Sequence, residues 1–589
     1  MRSLKNVRRD RQTVKESPVM SDDLRSQLDY EPEPLKFGTS GRRGRVVDLT
    51  QLEIYINALA ELKYLQKLLP GQGGVVEGDD FFYGYDLRPS STTFVAEQGG
   101  RGELAQAVER AIVDAGMRPV NCGCIPTPAL TFYALSKGKG SMMVTGSHIP
   151  FDRNGYKTNT SKGELLKIHE EPIHRAVQGV RERIYRESFK TSLFDRNGRM
   201  KTGHRRLSPV DGSASLSYVD RYVNFFEGHS LHGMKIVLYQ HSAVGRDLVL
   251  DILRRLGAEV IPTGRSESFV PIDTENIDSA QLATIQALAE EVIEENGFVN
   301  AIVSTDGDSD RPLVLGVGAD HAVHFFGGDL VGMVAAQYLG ADAVVVPISC
   351  NDAIDRSSLA KALEPKTRIG SPYVIAGMNV ALANGKKTVC GWEANGGFLT
   401  GSTIVRNGKM LDALPTRDAV LPILCTLLSA QEEQVALAEL FGRLPRRFGS
   451  AALLKQFPRQ ISLKIIESYS PADDVVKEAI FQDNRILLRN EFNAEIQDAR
   501  KMELWNIRER LTGFFDTEKG FEGIIRLNYT DGIRISFQNG DVAHLRPSGN
   551  ADELRIYAVA DTECRAKAIA AFAVAEPDGI LRRLEGSVI

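Results

Sequence analysis

Apolar residues recur along this chain at helical and strand spacings in alternation. Leu52, Tyr55, Ile56, Leu59 and Leu62 fall on one face of a helix. Thr50 and Glu53 form a capping box at its start, the hydroxyl and the carboxylate each satisfying a free amide. FFYGYDLRPSS then reads as a strand entering a loop. GELAQAVERAIVDAG reads as an amphipathic helix closed by Gly116, and PVNCGCIP and SMMVTG as short strands. The alternation returns, with strands predicted at 234–239, at AEVIPT and at 298–303, and helices over 245–256 and 279–296. A helix over 329–339 and a strand over 342–347 follow. Strands alternating with helices imply a parallel sheet covered by helices. From about Arg446 the spacing becomes mixed (RRFGSAALL, GIIRLNY, GIRISFQ, LRIYAVA), with a helix predicted near 471–483, which suggests a smaller α+β domain. Residues 184–217 are polar, basic and rich in Gly and Ser, as in a partly disordered link, and the first thirty or so residues read as a mobile extension.

Length and charge narrow the class. At ~150 residues per domain, 589 residues give room for about four domains. The balance of 71 basic against 76 acidic residues, a net charge of −5, argues against a nucleic-acid binder. No apolar run reaches the ~20 residues of a membrane span, and the charged N-terminus lacks the apolar stretch of a secretory signal. Six cysteines are sparse for this length and fit a reduced, cytoplasmic protein.

Four loops carry candidate chemistry. Thr145-Gly146-Ser147-His148-Ile149-Pro150, continuing to Lys157, follows the apolar SMMV, so it lies at the carboxyl end of a strand, where open α/β sheets form ligand sites. Ser147 can present a hydroxyl there, with His148 and Lys157 as proton carriers; a plain turn is the rival reading. Asp306, Asp308 and Asp310, at spacing two after FVNAIV, can converge on one hard cation such as Mg²⁺, and without one they would repel. A solvated acidic turn is the alternative. An EF-hand is excluded, since Arg311 and Val317 stand where its Gly and Glu would be. In Gly391-Trp392-Glu393-Ala394-Asn395-Gly396-Gly397, Glu393 and Asn395 could grip sugar hydroxyls or merely line a Gly-rich connection. Arg546-Pro547-Ser548-Gly549-Asn550 gathers donors suited to a phosphate, or to a capped turn. The chain contains no P-loop, and His169 and His174 stand one residue too far apart, with Pro172 between, for a zinc helix of the HExxH type.

In chain order these loops resemble the α-D-phosphohexomutase family, which comprises phosphoglucomutases, phosphomannomutases and phosphoglucosamine mutases, over roughly residues 35–565. FGTSGRRG is similar to the family's TSGxRG, which implies that Arg43 reaches an active-site phosphoserine. TGSHIPFDRNGYK resembles TASHNPxxxNGxK and implies Ser147 as the phosphorylated residue, with His148 and Lys157 in proton transfer and active-site contacts. DGDSDR matches DGDxDR, implying Mg²⁺ on Asp306, Asp308, Asp310 and Ser147, with Arg311 facing substrate. GWEANGG resembles GExSGH and implies sugar contacts by Glu393 and Asn395. RPSGNADELRIY resembles RPSGTEPxxxxY and implies phosphate binding by Arg546, Ser548, Gly549 and Asn550. The chain departs from the pattern at Gly146 (usually Ala), Ile149 (Asn), Asn395 (Ser), Gly397 (His) and Asn550 (Thr), and Pro372 stands where many relatives carry a basic residue.

The resemblance implies an α/β architecture of four domains around a central cleft, three α/β domains with mixed sheets and a smaller C-terminal α+β domain. The expected boundaries are 1–34 for the extension, 35–183, a linker at 184–217, then 218–325, 326–445 and 446–589. It implies interconversion of hexose 1-phosphate and hexose 6-phosphate, mannose favoured, through phosphorylated Ser147 and a bisphosphorylated hexose that also serves as activator. A phosphoglucomutase is the alternative, ahead of a metal-dependent sugar-phosphate phosphatase or a noncatalytic sugar-phosphate binder. Partners are a hexose phosphate, no nucleic acid and no membrane, with monomer and homodimer both open.

Overall fold

The computed structural model describes residues 22–589 apart from 39, 202–205, 276, 473, 484, 492–493, 498–500 and 548–551. The chain folds into mixed α/β units, each on its own sheet. In the first, Arg118–Cys124, Asp80–Tyr85 and Ser141–Val144 run parallel; Arg153–Thr160 and Arg42–Arg45 add antiparallel, with Gly163–Glu164 on Arg153–Thr160. The second orders Glu259–Arg265, Lys235–His241, Ala301–Thr305, Pro312–Val317 and Val323–Phe326, parallel up to Ala301–Thr305 and antiparallel beyond. The third pairs Ala343–Val345 in parallel with Val389–Trp392, followed by Phe398–Thr400 and Leu414–Asp418. The fourth is an antiparallel sheet of eight strands from Phe448–Lys455 to Glu495–Ile496, the widest of these sheets. No helix among the described residues is long and apolar enough to cross a membrane.

One apolar core runs without a break through the first three units. It joins Phe82 and Met143 of the first, Leu238 and Val249 of the second, and Trp392 and Leu424 of the third, with Tyr218 and Tyr222 of the helix Ser213–Phe225 between them. The fourth unit has a separate core around Phe457, Leu527 and Phe537. Its joint with the third is polar. Arg447 bonds Asp352 at 2.6 and 2.9 Å and Asp561 at 2.6 Å, while Arg356 also reaches Asp561 at 2.8 Å.

The structure departs from the sequence-based expectations in four places. Residues 22–30 are not a mobile extension: Leu24 is fully buried, its amide bonds the Glu187 carbonyl, and the Tyr30 hydroxyl donates to Thr50. In the span read as a linker, residues 186–200 lie on the first unit because its few apolar side chains face inward. Phe194 is buried 5.3 Å from the Tyr55 ring, and the Gly198 carbonyl accepts from the Leu52 amide. The capping box is half made. The Thr50 hydroxyl accepts from the Glu53 amide at 3.1 Å, but the Glu53 carboxylate is drawn to Arg181 and Tyr185 at 2.6 and 2.9 Å. Finally, no helix forms among the described residues of 471–483. Ala479 and Phe481 are both buried, a period of two, and they sit in the strand Glu478–Gln482. That unit's helices include Arg459–Ser468 and Lys501–Thr512 instead.

Candidate active site

Ser147 follows the strand Ser141–Val144 and is held in a left-handed turn, φ 58°. The turn is braced from below. The Thr145 hydroxyl accepts from the Ser147 amide and donates to Asp86, both at 2.7 Å. Asp86 pairs with Arg88 at 2.6 Å, both side chains fully buried. The Arg88 guanidinium then donates to the Ser147 carbonyl at 3.0 Å and to the Ile149 carbonyl. This packing accounts for Gly146: a Cβ there would meet the guanidinium carbon at 2.8 Å. The Ser147 hydroxyl is buried and donates to Asp306 Oδ2 at 2.8 Å; its neighbour His148 Nδ1 lies 3.5 Å away. Burial, then the Arg311 and Arg43 charges, hold His148 well below the usual imidazole range, so the ring is neutral.

The three aspartates occupy the turn between the antiparallel strands Ala301–Thr305 and Pro312–Val317. All three are buried, and one ligand oxygen from each lies within 4.8 Å of the others. Asp306 Oδ1 accepts the amides of Asp310 and Arg311 at 3.1 and 3.2 Å, which closes the turn. Lys157 donates to Asp308 and Asp310 at 2.7 and 2.6 Å, and Thr127 to Asp308 at 2.6 Å. Burial pushes Asp306 up, helped by its two neighbours, whereas Lys157 and Thr127 overcome burial at Asp308 and keep it ionised. Asp308 Oδ1 and Asp310 Oδ1 remain buried without a hydrogen-bond partner. Arg311 stands 3.7 Å from Asp310 and 3.8 Å from Asp273, and Arg43 presents a buried Nε without a hydrogen-bond partner. Burial, with Arg311 and Arg417 nearby, lowers Arg43 to about 10.

Glu393 and Asn395 lie in the turn between Val389–Trp392 and Phe398–Thr400. The Asn395 side-chain oxygen accepts from the Gly397 amide at 3.0 Å, so part of this residue serves its own turn. Trp392 does not face the site. It is fully buried and stacked on Phe398 at 5.9 Å. Several residues that no motif singled out complete the surroundings. They are Asp86 and Arg88, Thr127, Arg417, and the Asp273–Glu275 segment, which is tied to the sugar loop by Thr274 donating to the Asn395 carbonyl at 2.9 Å. A charged pair at the end of the first predicted strand, in YDLRPSS, was the available signal for Asp86 and Arg88.

Arg546 stands in the fourth unit, 3.2 Å from Asp531, whose carboxylate also accepts from the Ile369 amide of the third unit at 3.4 Å. Ser548, Gly549 and Asn550 lie outside the described residues. Nearby His544 is buried and bonds the Asp531 carbonyl at 3.0 Å; burial and Arg534 lower it to about 3. The folded pKa is thus below the unfolded value of about 6.5, so the unfolded chain takes the proton and stability falls as pH drops through that window. His544→Gln should flatten this fall by up to about 1.4 kcal/mol per pH unit between pH 6.5 and 3. Denaturant melts of both proteins across that range check it, and parallel pH slopes would refute it.

The family described as "Phosphoglucomutase/phosphomannomutase, alpha/beta/alpha domain I" matches residues 34–183, and its domain III counterpart matches 327–448. A phosphomannomutase of Sinorhizobium fredii is 36% identical over 526 residues, covering 89% of this chain and 95% of that protein. One from Salmonella muenchen is 33% identical over 531 residues, covering 90% and 92%. Among solved structures, a phosphoglucomutase/phosphomannomutase family protein of Burkholderia thailandensis superimposes with TM-score 0.61 at 17% identity, over 93% of this chain and 97% of that one. The open form of the Paramecium phosphoglucomutase parafusin gives TM-score 0.54 at 15% identity, over 90% and 92%.

Proposed function

This chain belongs to the phosphoglucomutase/phosphomannomutase family, the α-D-phosphohexomutases, and from that premise we propose that it is a phosphomannomutase-type enzyme. It would interconvert mannose 1-phosphate and mannose 6-phosphate through phosphorylated Ser147 and a bisphosphorylated sugar. The observation that carries this reading is the buried Ser147 hydroxyl bonded at 2.8 Å to one of three clustered aspartates.

The donor set fits Mg²⁺, since the aspartates and Ser147 offer only oxygen ligands and two of the carboxylate oxygens are buried without a hydrogen-bond partner. Asp306, Asp308 and Asp310 would hold the ion, which neutralises charge on the transferring phosphoryl group. The remaining work falls to the chain. A hydroxyl of the bound hexose monophosphate attacks the phosphoryl group of Ser147. The new P–O bond forms as the bond to Ser147 Oγ breaks; the attacking hydroxyl gives up its proton and the departing Ser147 Oγ takes one up, with His148 or Lys157 as the carrier. Arg43 and Lys157 bring positive charge to the same place. Glu393 and Asn395 grip sugar hydroxyls, and the loop around Arg546 holds the phosphate that does not react, which orients the sugar. The bisphosphate then turns over, and its other phosphoryl group returns to Ser147. Burial of the serine disfavours loss of phosphate to water.

The test is a coupled assay on mannose 1-phosphate, glucose 1-phosphate and glucosamine 1-phosphate with Mg²⁺ and a trace of bisphosphorylated hexose. Mannose 1-phosphate should give the highest kcat/KM. Release of inorganic phosphate without an isomerised sugar would overturn the reading.

A further inference from the structure

Three consecutive side chains of the strand Leu414–Asp418 reach three different parts of the molecule. Thr416 donates to Glu164 on the first sheet at 2.6 Å. Asp418 accepts from Tyr218 at 2.6 Å, from Tyr222, and from the Val420 amide at 3.0 Å. Strand alternation sends Arg417 to the opposite face. There its Nε and Nη2 donate to Asp310 Oδ2 at 3.1 and 2.9 Å, and its Nη1 donates to Glu393 Oε2 at 2.8 Å. All three residues are buried. The anchors on either side leave Arg417 little freedom, and its planar fork fits two carboxylates at once, as a lysine ammonium does not.

A second observation concerns Gly397. Its φ is not in the left-handed region, so its backbone alone does not require glycine. A Cβ at that position would meet Arg417 Cδ at 2.6 Å, Cγ at 2.8 Å and Cβ at 2.9 Å. The stem of Arg417 fills the space that a side chain on the sugar loop would need.

We infer that Arg417 is a positioning residue for sugar recognition, fixing the Glu393 carboxylate and tying it to the metal loop through Asp310, with Gly397 as its steric complement. The inference rests on the reading above, in which Glu393 contacts the hexose. With Oε2 committed to Arg417, Oε1 is left for a sugar hydroxyl. Sugar loop and metal loop then move as one body, and the residue joining them belongs to neither.

Steady-state kinetics on the full-length enzyme with Mg²⁺ test this in Arg417→Gln, Arg417→Lys, Gly397→Ala and the double variant Gly397→Ala/Arg417→Gln. Arg417→Gln should raise KM for the hexose 1-phosphate about tenfold or more, a larger factor than any fall in kcat, as expected for losing a buried charge-assisted contact. Arg417→Lys should recover part of it. Gly397→Ala, which changes no charge, should raise KM by displacing Arg417 and should add little once Arg417 is gone. A purely structural role would instead lower kcat and the active fraction with KM unmoved. If the wild type isomerises hexose phosphates but KM stays within about twofold of it in Arg417→Gln and Gly397→Ala, this inference alone fails. A wild type that isomerises none overturns the proposed function as well.

Discussion

Replacing Ser147 with alanine should lower turnover by at least about a thousandfold, the scale on which a lost nucleophile is felt. The variant should also fail to gain a phosphoryl group when incubated with a bisphosphorylated hexose, which intact-protein mass spectrometry reads directly. The expectation follows from placement. The hydroxyl is buried and bonded to Asp306, and its backbone is pinned through Thr145, Asp86 and Arg88. No second hydroxyl is held in that way among the described contacts of the three aspartates: the Thr127 hydroxyl is spent on Asp308. Alanine removes one oxygen and leaves these supports intact, so the variant should fold. Full activity in a folded Ser147→Ala protein would end the phosphoserine assignment.

The second large effect is expected at the aspartates. Asp308→Asn should weaken divalent-cation binding at least about tenfold and cut kcat by about two orders of magnitude, with partial recovery in excess Mg²⁺. Asp308 is ionised in spite of burial, because Lys157 and Thr127 stabilise its charge. The amide removes that charge and leaves the Lys157 ammonium paired with Asp310 alone. Calorimetric titration with Mn²⁺ separates binding from turnover. Unchanged affinity in the variant would move the cation elsewhere.

Much of this was legible before folding was considered. The helix predicted over 279–296 is observed as Ser279–Asn296, because its signal, Leu282, Ile285 and Leu288 recurring on one face, is local in sequence. The serine and aspartate loops could be read because each follows an apolar strand directly. What escaped depends on partners far away in sequence. Arg417 meets Asp310 and Glu393 only after two sheets assemble, and nothing in LPTRDAV announces it. Glu53 looked like half of a capping box until Arg181 and Tyr185, on the helix Glu170–Tyr185, drew its carboxylate away. The strand Glu478–Gln482 is hard to tell from part of a helix in the sequence, because a five-residue element shows too little of its period.

The ionic seam between Arg447, Asp352, Arg356 and Asp561 has a bearing on how a substrate gets in. Swinging the C-terminal unit outward would break the Arg447–Asp352 and Arg356–Asp561 pairs while leaving both oily interiors sealed; the Arg447 side chain is fully buried, so dissolved salt loosens the outer pair far more than the inner one.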